Sequence, residues 1–585
     1  VSSQTYASIA LALLLSLLAI LSLPILHAGY YSDDIINSLT PGTIKLYHLS
    51  FWASIDVYMK VWLNNGRFFP LSIVSTTAVF NYFSEIHQYQ GVRLLFIWAS
   101  TFSFAWLIRL LTRNTASCLL FLLFFPLCWS VHDVPDALVS FAVFLPLVVL
   151  FSGLTLITLY YYFATKKSGW LATSLIFYLL DLSCYEVGLM TVILVFILIL
   201  YQTATRQEKF QAFKPYVIMT VIYLVTCCLI QHSDQETYNG LQMHLGSHFL
   251  TGFFAQATSA LPLSYYFLAA GNHLDWHVLW LSFREQPLLA LYLFSGTTLL
   301  TAWLLPRLAM TQKNNRLLLQ LGLTLLIFPA LLMGINLKYQ LIISMGRGYI
   351  PVYVEYIGVA ILLLSAVTQL ERYSKRWHVI LALLLGFTMT AAWLTNHQVV
   401  QQINASQYNT RALMTSALSH HLLDRLPDNP ILVEKRRLWN PRDYFAIYSN
   451  KPYADVVDIS QKEWQTKREQ KYYLEAFPFH QTERGFVILG KIEALHSDTA
   501  HSLLGVVRTL TLADPWVFIN AENETEHHQI VSELATLLLL APEQVAALHG
   551  IDARASHQVT VTALTNSHIT LPITLDCCAR KDTFI

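Results

Sequence analysis

Charge is what this chain has least of: only 12% of its 585 residues are Asp, Glu, Lys or Arg, while 55% are hydrophobic. A soluble domain carries about a quarter charged residues, so the deficit excludes an ordinary globular protein and points to many membrane spans. The formal net charge of +1 and the scattering of basic residues exclude a nucleic-acid binder. Cysteine chemistry is also thin. Cys118, Cys128, Cys184, Cys227 and Cys228 lie in apolar runs, and the vicinal pair Cys577–Cys578 is poorly suited to an internal disulfide. No spacing resembles a zinc site, and His132, His232 and His273 lack metal-ligand spacing. No Lys or Arg precedes the first apolar run, which reads as a retained helix rather than a cleaved leader. Internal repeats and low-complexity tracts are missing too.

What is abundant is apolar sequence in lengths that span a bilayer. Segments 6–27, 88–111, 115–131, 137–163, 168–184, 187–204, 215–231, 286–306, 316–335, 349–370 and 377–395 predict about eleven helices. With the N-terminus cytoplasmic, Arg109 and Arg113, Lys166 and Lys167, Arg206, Lys209 and Lys214, Arg307, Lys313 and Arg316, and Arg372, Lys375 and Arg376 all fall in inner loops. Five basic inner loops satisfy the positive-inside rule. The acidic and mixed loops then face outward: residues 31–84, Asp133 and Asp136, Glu186, the long loop 232–285, and 338–347. Within the first outer loop, 43–64 and 67–84 read as aromatic-rich helices lying in the interface, and Leu261–Tyr266 in the second as a segment dipping into the bilayer edge. From residue 396 charge returns and short β-like runs alternate with helix-like ones such as 529–540, which predicts a soluble α/β or α+β domain outside the membrane. The domains are thus 1–395, transmembrane, and 396–585, extracytoplasmic.

Chemistry concentrates on the outward face. Asp33–Asp34 follows the first span directly, and adjacent carboxylates at a membrane boundary are costly unless the site is wet and functional. Mutual repulsion raises one pKa and prepares a base, although a solvated helix end is the simpler reading of such a pair. Arg67, Lys338 and Arg347, the last followed by Tyr349, offer cations for a departing phosphate; snorkelling to headgroups is the alternative. Tyr185, Glu186 and Asp133 are sugar or acceptor candidates, with water-exposed helix ends or turns as the alternative and Asp136 as a cap. Mid-span charge is confined to the neighbourhoods of Asp181 and Glu355. The pattern indicates no cofactor, and leaves a divalent metal open without indicating one.

A first helix ending in Asp33–Asp34, interfacial helices, about eleven spans and an outer C-terminal domain resemble the GT-C class of integral membrane glycosyltransferases. Tyr31-Ser32-Asp33-Asp34 followed by Gly66-Arg67-Phe68-Phe69 is similar to bacterial enzymes of the O-antigen serotype-converting glucosyltransferase type. The resemblance covers the first 395 residues in architecture, and it implies a hexosyltransferase of the bacterial inner membrane. Such an enzyme moves a sugar with inversion from a polyprenyl-phosphate donor to a hydroxyl of a surface glycan (O-antigen, teichoic acid or a relative). Asp33 or Asp34 is then the base. The rivals are a transporter or flippase of lipid-linked sugars, a polysaccharide polymerase or ligase, and an assembly protein whose outer domain docks a partner protein.

Overall fold

In a computed structural model of the protein, the described residues are 3–133, 135–233, 243–271, 274–308, 310–373 and 377–404, with Tyr408, 446–447 and nine short strands beyond residue 430. The chain divides into two compact units, residues 1–37 with 51–402, and residues 38–50 with 403–585.

The first unit is a helical bundle. Eight helices are long and apolar enough to cross a membrane: α1 (Ser3–His27), α6 (Ile86–Thr112), α8 (Phe144–Thr165), α11 (Arg206–Ser233), α15 (Pro287–Leu304), α16 (Gln312–Ile335), α18 (Val352–Tyr373) and α19 (Trp377–Ile403). The apolar helices α7 (Thr115–Leu127), α9 (Ser168–Leu182) and α10 (Met190–Tyr201) are shorter. Between the spans lie α2 (Asp33–Asn37), α4 (Phe51–Asn64), α5 (Pro70–Tyr82), α12 (Phe249–Ser259), α13 (Ser264–Leu268), α14 (Trp276–Glu285) and α17 (Leu337–Ile342).

Local chemistry sets many of these limits. Asn114 caps α7 by accepting from Ser117 N–H at 3.0 Å, and Thr311 caps α16 by accepting from Asn314 N–H at 3.2 Å. Arg113 and Lys166 adopt the left-handed conformation that ends α6 and α8. Gly322 and Gly358 let α16 and α18 approach closely, since a Cβ on either would lie 3.0 or 2.9 Å from the other's carbonyl oxygen. Helix α11 turns Phe210, Ile222 and Leu229 outward, as a lipid-facing helix does.

Three expected helices differ in their bounds. The span placed at 137–163 begins only at Phe144, because Phe141 and Ala142 both take positive φ (64° and 46°), which no helix accommodates. The final helix, expected to stop at 395, continues to Ile403. The helix expected at 43–64 is broken after Leu46, where His48 takes φ 51°, and resumes as α4, which packs on α5 through Ile55, Phe69 and Ile73 and leaves Trp52, Val57 and Val61 exposed.

The second unit contains α3 (Thr40–Leu46) and β1 (Ile431–Glu434), β2 (Val456–Asp458), β3 (Tyr473–Pro478), β4 (Ile488–Glu493) and β5 (Ser502–Val506). These strands form one sheet in the order β2-β1-β3-β4-β5, parallel where β1 meets β2 and β3 and antiparallel from β3 to β5. Two strand pairs follow, 517–518 with 556–557 and 561–562 with 570–571. The expected helix at 529–540 and the Cys577–Cys578 pair lie outside the described residues, as does His273.

Candidate active site

The two aspartates occupy different environments. They open α2, and neighbouring helical positions point about 100° apart. Asp34 turns inward and is wholly buried, whereas Asp33 stays exposed. Asp34 accepts from the phenol of Tyr89 and, with both oxygens, from Ala142 N–H at 3.1 and 3.0 Å. Asn37 reaches it at 3.5 Å. Burial raises its pKa to about 6, against the pull of those bonds and of Arg93. Its role is legible in what it holds: the N–H of Ala142, in the left-handed turn that delays α8. Two successive non-glycine residues in that region cost on the order of 1–3 kcal/mol each, and such strain persists only where the surroundings over-determine it. Asp33 has its pKa raised by partial desolvation, opposed by the charge of Lys338.

Residues 128–133 and 135–143 form an irregular platform pinned from several helices. Asn396 of α19 bonds Trp129 O (3.0 Å) and Val131 N–H (2.9 Å), and Tyr356 of α18 donates to Ser130 O (3.1 Å). Asp136 is no solvated turn. It is fully buried and accepts from Leu138 N–H at 2.7 Å, Val139 N–H at 2.9 Å and His132 N–H at 3.1 Å, so it ties a turn of the platform and caps no helix, because α8 starts only at Phe144. Asp133 projects from the platform to Arg347, whose Nε lies 2.8 Å from Oδ1 and whose terminal nitrogen donates to Oδ2 at 3.2 Å. The guanidinium also faces Tyr265, 5.6 Å from the ring centroid.

Arg67 and Glu186 form the other pair. Arg67 donates from Nε and a terminal nitrogen to the two Glu186 oxygens, both at 2.9 Å, inside a box of Trp62, Phe69 and Tyr185 rings. Burial works against the guanidinium charge, but Glu186, then Tyr185 and Tyr339, more than offset it and hold the pKa up. Leu71 N–H bonds Ser183 O at 2.9 Å and Ser72 bonds Cys184 O, so the start of α5 is fastened to the turn that presents Glu186. The pairs differ in accessibility: side-chain exposure is 9% and 28% for Arg67 and Glu186, but 19% and 50% for Arg347 and Asp133. The second pair can open to a ligand at lower cost.

Lys338 and Tyr349 complete the set. The Tyr349 ring lies 4.3 Å from that of Tyr339, tilted by 33°, and its backbone is clamped by Gln256, which accepts from Tyr349 N–H (2.8 Å) and donates to Tyr349 O (3.2 Å). A run of rings, Tyr339, Tyr349, Phe141, Phe144 and Tyr185, links the Lys338 region to the Arg67 box. All nine sequence candidates therefore gather at one end of the bundle. Just before Tyr349, Gly346 takes φ +75°, and a Cβ there would lie 2.7 Å from Ser264 O and 2.8 Å from Ala269 N. Gly346→Ala is expected to cost about 1–3 kcal/mol and to displace Arg347, measurable as a lowered melting temperature.

Sequence reasoning missed Arg93 and Tyr89, both in α6 and both buried. Mid-span charge is thus not confined to Asp181 and Glu355: Arg93 adds a cation inside the apolar run 88–111, which was the available signal. Asp181 itself accepts from Ser152 at 2.9 Å and Thr191 at 2.6 Å and is wholly enclosed. Among the described residues, no group of three or more His, Cys, Asp or Glu side chains is arranged to hold a metal ion.

No protein-family model matches the chain, and no curated protein does. Among solved structures it is similar to ArnT from Cupriavidus metallidurans bound to undecaprenyl phosphate, at 11% identity and a TM-score of 0.38, covering 81% of this chain and 94% of that one. It is likewise similar to the apo state of that protein, at 13% identity and a TM-score of 0.34, covering 81% and 93%. Likeness at this level assigns neither family nor activity.

Proposed function

We propose that this protein is a membrane glycosyltransferase that moves a sugar from a polyprenyl-phosphate donor to a hydroxyl of a surface glycan, at the outer face of a bacterial inner membrane. The reading includes the orientation set by the basic loops and an outer C-terminal domain. The observation that carries it is the split acidic pair: an exposed Asp33 within the electrostatic reach of Lys338, beside an Asp34 fully engaged in the fold. Asp33 takes the proton of the acceptor hydroxyl as that oxygen attacks the anomeric carbon. The bond from that carbon to the phosphate oxygen breaks, and the configuration inverts. The departing polyprenyl phosphate gains charge, which Lys338 and Arg347 receive, with Tyr349 beside them.

Because the Arg67–Glu186 pair is bidentate, largely buried and neutral overall, Arg67 is a clamp on the site wall rather than a free phosphate ligand. Arg347 is the better phosphate ligand, since its half-exposed partner Asp133 can yield to a more highly charged anion. Tyr185 and the exposed edge of Glu186 remain the sugar-side candidates. The platform that holds Asp133 shapes the acceptor entrance.

Undecaprenyl phosphate, the lipid bound in one of the similar structures, is the probe for this assignment. Arg347→Ala is expected to weaken its binding about 10-fold to 100-fold, and Arg347→Lys by less, because a point charge keeps attraction but loses the fork. Equal losses from both variants, measured by titration in detergent, would count against bidentate phosphate contact.

A further inference from the structure

Arg93 lies inside a span and is almost wholly buried, a position that is costly for a cation unless its donors are used. One terminal nitrogen donates to Val139 O at 2.7 Å and lies 3.4 Å from the Tyr89 hydroxyl, and the other donates to Ile25 O at 3.0 Å. The guanidinium is 5.0 Å from the Tyr89 ring centroid. Tyr89 passes its own proton toward Asp34, and its ring is wedged against Phe80 at 4.9 Å and Tyr30 at 5.4 Å, so the hydroxyl has little freedom to swing. One side chain thus ties the end of α1, the platform and α6, and its charge balances the buried carboxylate that opens α2.

We propose that Arg93 and Tyr89 are positioning residues for the acidic pair: through Asp34 they lock the Phe141–Ala142 turn and fix the first turn of α2, so that Asp33 is held toward its acceptor. The inference rests on the reading of Asp33 as the base. Asp34 is faced by Tyr89 and Arg93 from α6, Ala142 N–H from the platform, and Asn37 from its own helix. With its pKa raised to about 6 by burial, Asp34 accepts all its bonds when ionised and gives up part of that capacity when it takes a proton. Loss of the Tyr89 hydroxyl raises its pKa further, because that bond favours the charged form.

The test uses the full chain in nanodiscs, with Tyr89→Phe as the deciding variant and Arg93→Lys as a second that keeps the charge but not the three-way reach. Two readouts are taken: hydrogen exchange of peptides covering 137–143, and transfer of radiolabelled glucose from undecaprenyl-phosphate-glucose to host membranes. For Tyr89→Phe, kcat is expected to fall about tenfold with the donor KM within about twofold. The acid limb of kcat is expected to move up by on the order of one pH unit. Exchange at 137–143 should quicken about tenfold. Faster exchange with an unchanged kcat and pH profile would overturn the positioning role, as would wild-type exchange in both variants. If the wild type transfers no glucose, the assignment of a glucosyl donor fails separately, and the exchange measurement alone decides whether the tie exists.

Discussion

Asp33→Asn is expected to lower sugar transfer about 10²–10⁴-fold while leaving the melting temperature unchanged, whereas Asp34→Asn is expected to destabilise the fold itself. The residues are neighbours in sequence, and the difference comes from what surrounds each. Asp33 is exposed, so its amide replacement removes a proton acceptor and little else. Asp34 is buried, holds Ala142 N–H with both oxygens and answers the charge of Arg93. An amide there brings extra N–H donors against Tyr89 and Asn37 and strands the buried Arg93, a loss of about 3–5 kcal/mol by analogy with broken buried pairs. Melting in detergent and transfer by the surviving folded fraction separate the two effects. A stable, inactive Asp34→Asn with an active Asp33→Asn would reverse the assignment.

The second large effect concerns Arg67 and Glu186. Arg67→Ala is expected to cost about 3–5 kcal/mol, since it removes the bidentate partner of Glu186 and empties a box of three aromatic rings. Glu186→Gln leaves Arg67 with only 9% side-chain exposure and an uncompensated charge, at a similar cost. The double variant Arg67→Met, Glu186→Leu should recover most of the loss, because exchanging a buried pair for well-packed apolar groups is often neutral. A double-mutant cycle built from Arg67→Met, Glu186→Leu and the two together, read as unfolding free energies, measures this directly. Additive losses would mean that the pair is not a unit, and Arg67 would return as a phosphate ligand.

The hydrophobic lengths that mark the spans, the aromatic helix α4 and the position of the acidic pair at the end of α1 were readable from residue order alone. They depend on local composition and period. The inward and outward split of Asp33 and Asp34 was not, because it depends on Tyr89 and Ala142, which lie 55 and 108 residues from Asp34. The same holds for Arg67 with Glu186, 119 residues apart, and Arg347 with Asp133, 214 apart. Residues 137–143 read as helix because Ala137, Leu138, Val139, Phe141, Ala142 and Val143 are all apolar. Their hydrophobicity reflects a buried platform, and tertiary bonds from Arg93 and Asp34 override the helical pattern. Arg93 was passed over for the converse reason: its flanking sequence is that of a span, and its partners are backbone carbonyls that no motif records.

The central claim is bond formation at the acidic pair. In proteoliposomes loaded with undecaprenyl phosphate bearing a radiolabelled sugar and supplied with host glycan, the wild type is expected to place label on the glycan. Asp33→Asn, inserted equally well, is expected not to. Label carried across the bilayer on an intact lipid, with no new glycosidic bond and no dependence on Asp33, would contradict the account and make the protein a transporter.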